Sequence, residues 1–267
     1  MGNTPIIKEV EDSGIGHEDA AKYAALQVWE SNDTVMLMPT RGTGISIRVW
    51  RSHDRLLMPM NMKKCKFDVE GQEVGAAYEM LFDSTLNSPA TRSWPWILTT
   101  EDDNLPEPEA FYKLLMAIRH CPDCKVPIGN EDHCPDGHKA YDGISALYWA
   151  KVSPSMPMAF GDPKKGKGFA TQDVYQYMVK ENPLDQVLEV NAIANGFSLF
   201  RRSMVERVSK PRFETANPVL DEAGDRTASI TQDLYFCIKA KEEVGARFAV
   251  HCGVKCGHID TKTGKVY

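Results

Sequence analysis

The first sharp pattern along the chain is a run of apolar residues, Thr34-Val-Met-Leu-Met38, closed by the breaker run Pro39-Thr-Arg-Gly-Thr-Gly44. This predicts a buried strand that ends in a turn. Residues 45–57 read as helical. In the next segment Val74, Ala77, Tyr78, Leu81 and Phe82 recur at i, i+3, i+4, i+7 and i+8, which gives a helix one apolar face to lay on a sheet. Trp96-Ile-Leu-Thr99 predicts a short strand. An acidic turn, Glu101-Asp-Asp-Asn104, follows it, and then a helix facing inward through Phe111, Leu114, Leu115 and Ile118. Residues 121–182 are rich in Pro, Gly, Asp and Lys and read mostly as loops, with one strand-like run at 144–149. Regular pattern returns with a strand at 187–193, helices at 201–208 and 231–244, and a strand at 247–250. Strands and helices alternate at both ends, which predicts an α/β fold with a mixed sheet flanked by helices. There is no internal repeat.

The chain has 267 residues, 42% hydrophobic and 25% charged, enough for one large α/β domain. We expect this domain over 31–267, after a polar leader at 1–30 that lacks an apolar signal core. No stretch reaches the roughly 20 apolar residues that span a bilayer, so a soluble, cytoplasmic protein without a membrane anchor is expected. The net charge is −6. In the totals, that acidity carries no strong footprint for nucleic acid. Seven cysteines, an odd number in a chain too large to need disulfide staples, read as reduced thiols.

Two constellations carry chemistry. Glu101, Asp102 and Asp103 follow an apolar strand directly, so they sit at the carboxyl end of a sheet, where open α/β folds bind ligands. On extended backbone Glu101 and Asp103 point to one side and can share a hard cation that neutralises a diphosphate. A solvated turn that caps the next helix is the competing reading. The second constellation is Cys121-Pro-Asp-Cys124, nine residues, then Cys134-Pro-Asp-Gly-His138, with His133 as a spare. A C-x2-C loop and a C-x3-H loop can present three thiolates and an imidazole to structural zinc. The competing reading is a set of ordinary thiols beside turn residues. Weaker signals are Arg41-Gly-Thr-Gly44, a plain turn or a phosphate cradle, and the basic loop Lys164-Lys-Gly-Lys-Gly168.

The order of several motifs resembles glycosyltransferases of the GT-A type similar to family 2. Trp96 to Pro108 resembles the family's apolar strand, D-x-D and Pro-containing turn. Glu189 to Arg202 resembles its V-D-A-x-G-x-G-F-x-L-x-R-R segment, and Lys210-Pro-Arg-Phe213 falls where P-W-F is common. Thr231-Gln-Asp-Leu-Tyr-Phe236 resembles E-D-x-x-F, and Val254-Lys-Cys-Gly-His258 the terminal G-H. Glu101, Asn191 and Gln232 depart from the pattern. The resemblance implies a metal-dependent transferase using manganese or magnesium. Asp103 would hold the ion, Glu101 or Asp102 would lie beside it on the metal or the donor ribose, and His258 would be a third ligand. Pro39 and Thr40, with Arg41 next to them, would face the donor nucleotide. Asp233 would contact the acceptor or act as base. The partner is then a nucleotide-sugar donor. The acceptor hydroxyl is left open among glycan, protein, small molecule and a modified base in DNA, as is the oligomeric state. The resemblance does not itself account for residues 121–138, which their Cys and His spacing would make a zinc-binding insertion in that domain. A nucleotidyltransferase of similar fold and a non-catalytic zinc-knuckle module that binds nucleic acid are the alternatives.

Overall fold

The computed structural model describes residues 30–42, 44–59, 62–166, 168–169, 171, 174, 186–215 and 230–267. The leader at 1–29 and Lys167 of the basic loop lie outside the described residues. Ten strands and five helices can be assigned among them. In chain order they are β1 (Thr34–Thr40), α1 (Ile47–Asp54), β2 (Lys64–Glu70), α2 (Val74–Asn87), β3 (Trp96–Thr100), β4 (Asn104–Pro106), α3 (Ala110–Ile118), β5 (Gly143–Leu147), β6 (Ala159–Phe160), β7 (Val187–Val190), β8 (Ala192–Ile193), β9 (Phe197–Arg201), α4 (Arg202–Arg207), α5 (Gln232–Val244) and β10 (Phe248–His258).

The main sheet runs β2-β1-β3-β9-β5-β10-β4, with β7 also paired to β10. β1 is parallel to β2 and β3, and β5 is parallel to β10. β9 is antiparallel to both β3 and β5 and so joins the two parallel parts. This is the mixed sheet flanked by helices that the alternation of patterns predicts. Because side chains alternate along a strand, Val35 and Leu37 face α2, α4 and α5, while Met36 faces the side of α3. On the first side Tyr78, Phe82, Phe200, Phe213 and Phe236 form an aromatic cluster, with Phe213 and Phe236 stacked at 4.7 Å. On the second, α3 buries Phe111, Leu114, Leu115 and Ile118 against Trp96 and Leu98. Arg201 and Arg119 lie over the Trp96 ring at 5.1 and 5.6 Å.

Local chemistry sets the element ends. Ser46 accepts from the amide of Arg48 and starts α1 at Ile47, two residues later than the apolar pattern suggests. α5 stops at Gly245, which adopts φ 62° and lets its amide reach the Lys241 carbonyl. The strand expected at 187–193 divides at Asn191, whose side-chain amide donates to the Gly166 and Gly168 carbonyls and turns the chain from β7 to β8. The last strand is longer than the expected 247–250. It runs to His258 through an irregularity between His251 and Lys255, which carries the chain from β5 to β4. No helix among the described residues is long and apolar enough to cross a membrane.

Candidate functional site

The acids at 101–103 lie just past the end of β3. Their loop is tied down by three backbone bonds: Glu101 N–H to Gly196 O, Asn104 N–H to Glu101 O, and Ile259 N–H to Asp103 O at 2.8 Å. Gly196 has to be glycine, because a Cβ there would stand 2.6 Å from both Asn104 Oδ1 and Tyr148 Oη. Its amide instead accepts the close approach and donates to Tyr148 Oη at 2.8 Å. The end of β1, the start of α2, the acidic loop and the start of α5 together enclose a cleft of about 240 Å³, lined by Pro39, Thr40, Arg41, Gln72, Val74, Glu101, Asp102, Asp103 and Gln232. A larger cavity of about 320 Å³, beside β7 and the turn at Asp162–Lys164, holds no comparable cluster of carboxylates.

The three acids play different parts. Asp102 is buried and clamped by Arg41, whose backbone amide and Nη2 each donate to it at 3.0 Å. Asp103 is 6% exposed and contacts Arg41, Lys151 and His258. Burial opposes its ionisation, but His258 and Lys151 outweigh this and hold its carboxyl well below the usual carboxylate range. Glu101 turns the other way. Its carboxylate accepts from Tyr78 Oη at 3.0 Å, and burial, then the neighbouring Asp103 and Asp233, push its pKa up to about 8. The loop turns at Asp102 and Asp103, so the expected extended geometry that would aim Glu101 and Asp103 alike is not what the backbone adopts.

His258 ends β10 with its ring edge-on to Tyr148 at 5.5 Å. Its Nδ1 lies 2.9 Å from the Trp149 carbonyl and so carries a proton, and its Nε2 faces Asp103 Oδ1 at 3.5 Å. Asp103 Oδ1 is buried and, apart from facing His258, has no hydrogen-bond partner among the described residues. The structure thus brings Asp103 and His258 together and leaves Glu101 aside, hydrogen-bonded to Tyr78. Asp233 is 5% exposed in the first turn of α5, where it accepts from the Thr231 hydroxyl and from the Leu234 amide at 3.0 Å. Burial raises its pKa. It serves the start of its helix and also contributes negative charge felt at Glu101.

The sequence gives no sign of Lys151, Tyr78, Tyr148 or Asn195 at this site. Tyr78 looks there like one more apolar position of α2, and Lys151 lies in a loop. Asn195, buried beside Gly196, offers its carbonyl to Tyr78 Oη at 3.3 Å, while neither atom of its side-chain amide has a partner among the described residues.

The second constellation closes as its spacing predicts. The ligand atoms of Cys121, Cys124, Cys134 and His138 all lie within 4.8 Å of one another, the only such set of three or more His, Cys, Asp or Glu among the described residues. Cys124 Sγ is 3.7 Å from Cys134 Sγ, and His138 Nδ1 is 3.5 Å from Cys134 Sγ and 3.9 Å from Cys121 Sγ. A zinc tetrahedron has edges of about 3.8 Å between thiolates and about 3.5 Å from thiolate to imidazole. The cluster can therefore bind zinc with little rearrangement. Burial opposes ionisation of Cys121, yet the amides of Cys124 and Asp123, then the thiols of Cys124 and Cys134, bring it down to about 7. His133, the spare, instead pairs with Lys139 in an isolated bridge. Asp123, inside the first chelating loop, receives Arg247 Nη1 at 2.8 Å, and Arg247 also grips Glu189 at 2.7 Å, so the loop is pinned to β7 and to the start of β10.

No known protein-family profile matches the chain, and no curated protein matches it either. Among solved structures, A197 from STIV is similar over 88% of this chain and 92% of its own, with a TM-score of 0.53 and 15% identity. At that identity the likeness shows the fold alone. The inositol-1-phosphate CTP transferase from T. maritima covers 88% of this chain and 91% of its own, at 13% identity and a TM-score of 0.39, too low to carry any inference.

Proposed function

We propose that the protein is a metal-dependent glycosyltransferase that moves a sugar from a nucleoside-diphosphate donor to an acceptor hydroxyl. The observation that carries this reading is the acidic loop after β3, which shares one cleft with Pro39, Thr40 and Arg41 and holds a buried Asp103 oxygen against His258, with no hydrogen bond from the other described residues. The donor set fits a divalent cation. Asp103 Oδ1 and His258 Nε2 are hard oxygen and imidazole donors, and the proton on His258 Nδ1 is fixed by a backbone carbonyl, as is common for metal-ligating histidine. Manganese or magnesium on these two residues would stabilise the negative charge of the departing diphosphate as a Lewis acid. Glu101 would join the ligands only by leaving Tyr78.

The chain's own groups do the rest. Arg41 is 58% exposed at the mouth of the cleft, so its guanidinium can exchange Asp102 and Asp103 for phosphate oxygens. Lys151 is a second cation beside the same carboxylate. Pro39, Thr40 and Gln72 form the wall that the nucleotide base and ribose would meet. Asp233, held in place by Thr231, is the carboxylate we assign to the acceptor hydroxyl, whose proton it would take as the sugar arrives. The zinc cluster, on this reading, orders residues 121–138 as a structural clip. A panel of nucleoside diphosphates with and without manganese, read by thermal shift, tests donor binding, since a ligand of the folded state raises its apparent stability. With nucleotide sugars, release of a nucleoside diphosphate supports sugar transfer, whereas release of pyrophosphate from a nucleoside triphosphate and sugar phosphate would replace it with nucleotidyl transfer.

A further inference from the structure

The chain is acidic, but its basic residues are not spread evenly. Residues 41–66 hold seven Lys and Arg and a single acid, Asp54, a formal +6 inside a chain of net charge −6. This segment folds as α1 and the first three residues of the edge strand β2, beside the acidic cleft; the next exposed positions of that strand, Asp68 and Glu70, are acidic and bound the basic patch on that side. α1 buries Val49 and turns Ile47, Arg48, Trp50 and Arg51 to the surface, and Arg55, which caps its end, is exposed as well. Trp50 is 58% exposed, an unusual place for the largest apolar side chain. It forms one wall of a slot of about 150 Å³, with Ile45, His53 and the one acid, Asp54, beside it, Met36 and Met38 lining it from β1, and Lys64 and Lys66 from β2. His53 Nε2 lies 3.1 Å from Thr100 Oγ1, which ties the slot to the residue just before the acidic loop. Met36 and Met38 are four and two positions from Thr40 on the same strand, so the slot and the cleft are roughly 10 Å apart.

We propose that this slot and its basic rim bind single-stranded nucleic acid, with a base stacked on Trp50 and the backbone phosphates on Arg51, Arg55, Lys64 and Lys66. Phosphate neutralisation by exposed Lys and Arg supplies affinity without reading sequence, and an exposed indole supplies a platform for any base. A duplex keeps its bases stacked and would use only the rim. A lipid surface fits less well, because α1 has only eight residues and its exposed apolar stripe is two side chains, Ile47 and Trp50, little area to hold a membrane. Binding at this surface requires no transfer chemistry, so it stands or falls apart from the function proposed above.

The test is fluorescence anisotropy of the full chain with a labelled 12-nucleotide DNA at salt from 50 to 200 mM. Four phosphate contacts at about 0.7 counterions each predict a slope near −2.8 in log affinity against log salt, a loss of about 50-fold over that range. Lys64→Ala with Lys66→Ala should cut the slope to about −1.4. Trp50→Ala should weaken binding about fivefold or more and leave the slope alone. All three side chains are exposed, and thermal melts check that the variants fold. The expected order is single strand above duplex. The proposal is overturned by absent binding at 50 mM salt, by slopes that ignore the lysine changes, by indifference to Trp50→Ala, by equal affinity for polyglutamate, or by capture on phosphatidylserine vesicles without binding to the oligonucleotide.

Discussion

Glu101→Gln should make the protein less sensitive to alkaline pH, and its size follows from the surroundings of Glu101. In the folded chain this carboxyl lies among Tyr78, Asp103 and Asp233, and its pKa rises from 4.5 to about 8, chiefly through burial. Folding therefore takes up a proton between those values. The associated stability is fully present below about 4.5 and is lost as pH rises through about 8. Each unit of pH within that window costs about 1.4 kcal/mol, for a total of about 4–5 kcal/mol by pH 9. Gln is nearly isosteric, stays neutral and still offers Tyr78 Oη an acceptor. Urea unfolding of both proteins at pH 5, 7 and 9 without divalent metal reads the difference. The variant should match the parent near pH 5 and exceed it by about 4 kcal/mol at pH 9. Parallel profiles across the range would refute the placement of a neutral Glu101 beside two other acids.

Three further outcomes are expected. Purified protein should carry one zinc per chain on Cys121, Cys124, Cys134 and His138, by elemental analysis. Cys121→Ser with Cys124→Ser should abolish it and speed amide exchange across 121–139, where only four buried residues form the local core, while the two large clusters keep the sheet protected. Gly196→Ala should destabilise the fold by about 1–3 kcal/mol in chemical denaturation, since the added methyl meets Asn104 and Tyr148 at 2.6 Å. Asp233→Asn should reduce turnover about 10²–10⁴-fold while donor affinity holds. Near-normal turnover would leave Asp233 as a helix-start carboxylate.

What the sequence revealed depended on whether the signal was local. β1, β3, α2, α3 and α5 were legible because each has a one-sided or continuous apolar pattern bounded by breakers or acids. β9 was not, although it is central: Phe197-Ser-Leu-Phe-Arg201 is short, buried on both faces and runs straight into the Arg-Arg start of α4, so no period separates strand from helix. β2 was missed for the opposite reason, since its alternation of Lys and Asp with Cys, Phe and Val is that of a solvated edge. At the candidate site, the cluster of three cysteines and a histidine was legible because all four residues come from two short loops. The acids were found, but not their division of labour. That depends on Tyr78, Lys151 and Arg41, which reach the loop from as far as 62 positions away in the sequence.

The most direct test of the account is isothermal calorimetry of a nucleoside diphosphate, with and without manganese, against the parent protein and Asp103→Ala. The account predicts binding that requires the metal in the parent and is lost in the variant, with Glu101→Ala weakened less and all folds intact by thermal melt. Metal-dependent binding of unchanged affinity in Asp103→Ala would contradict it.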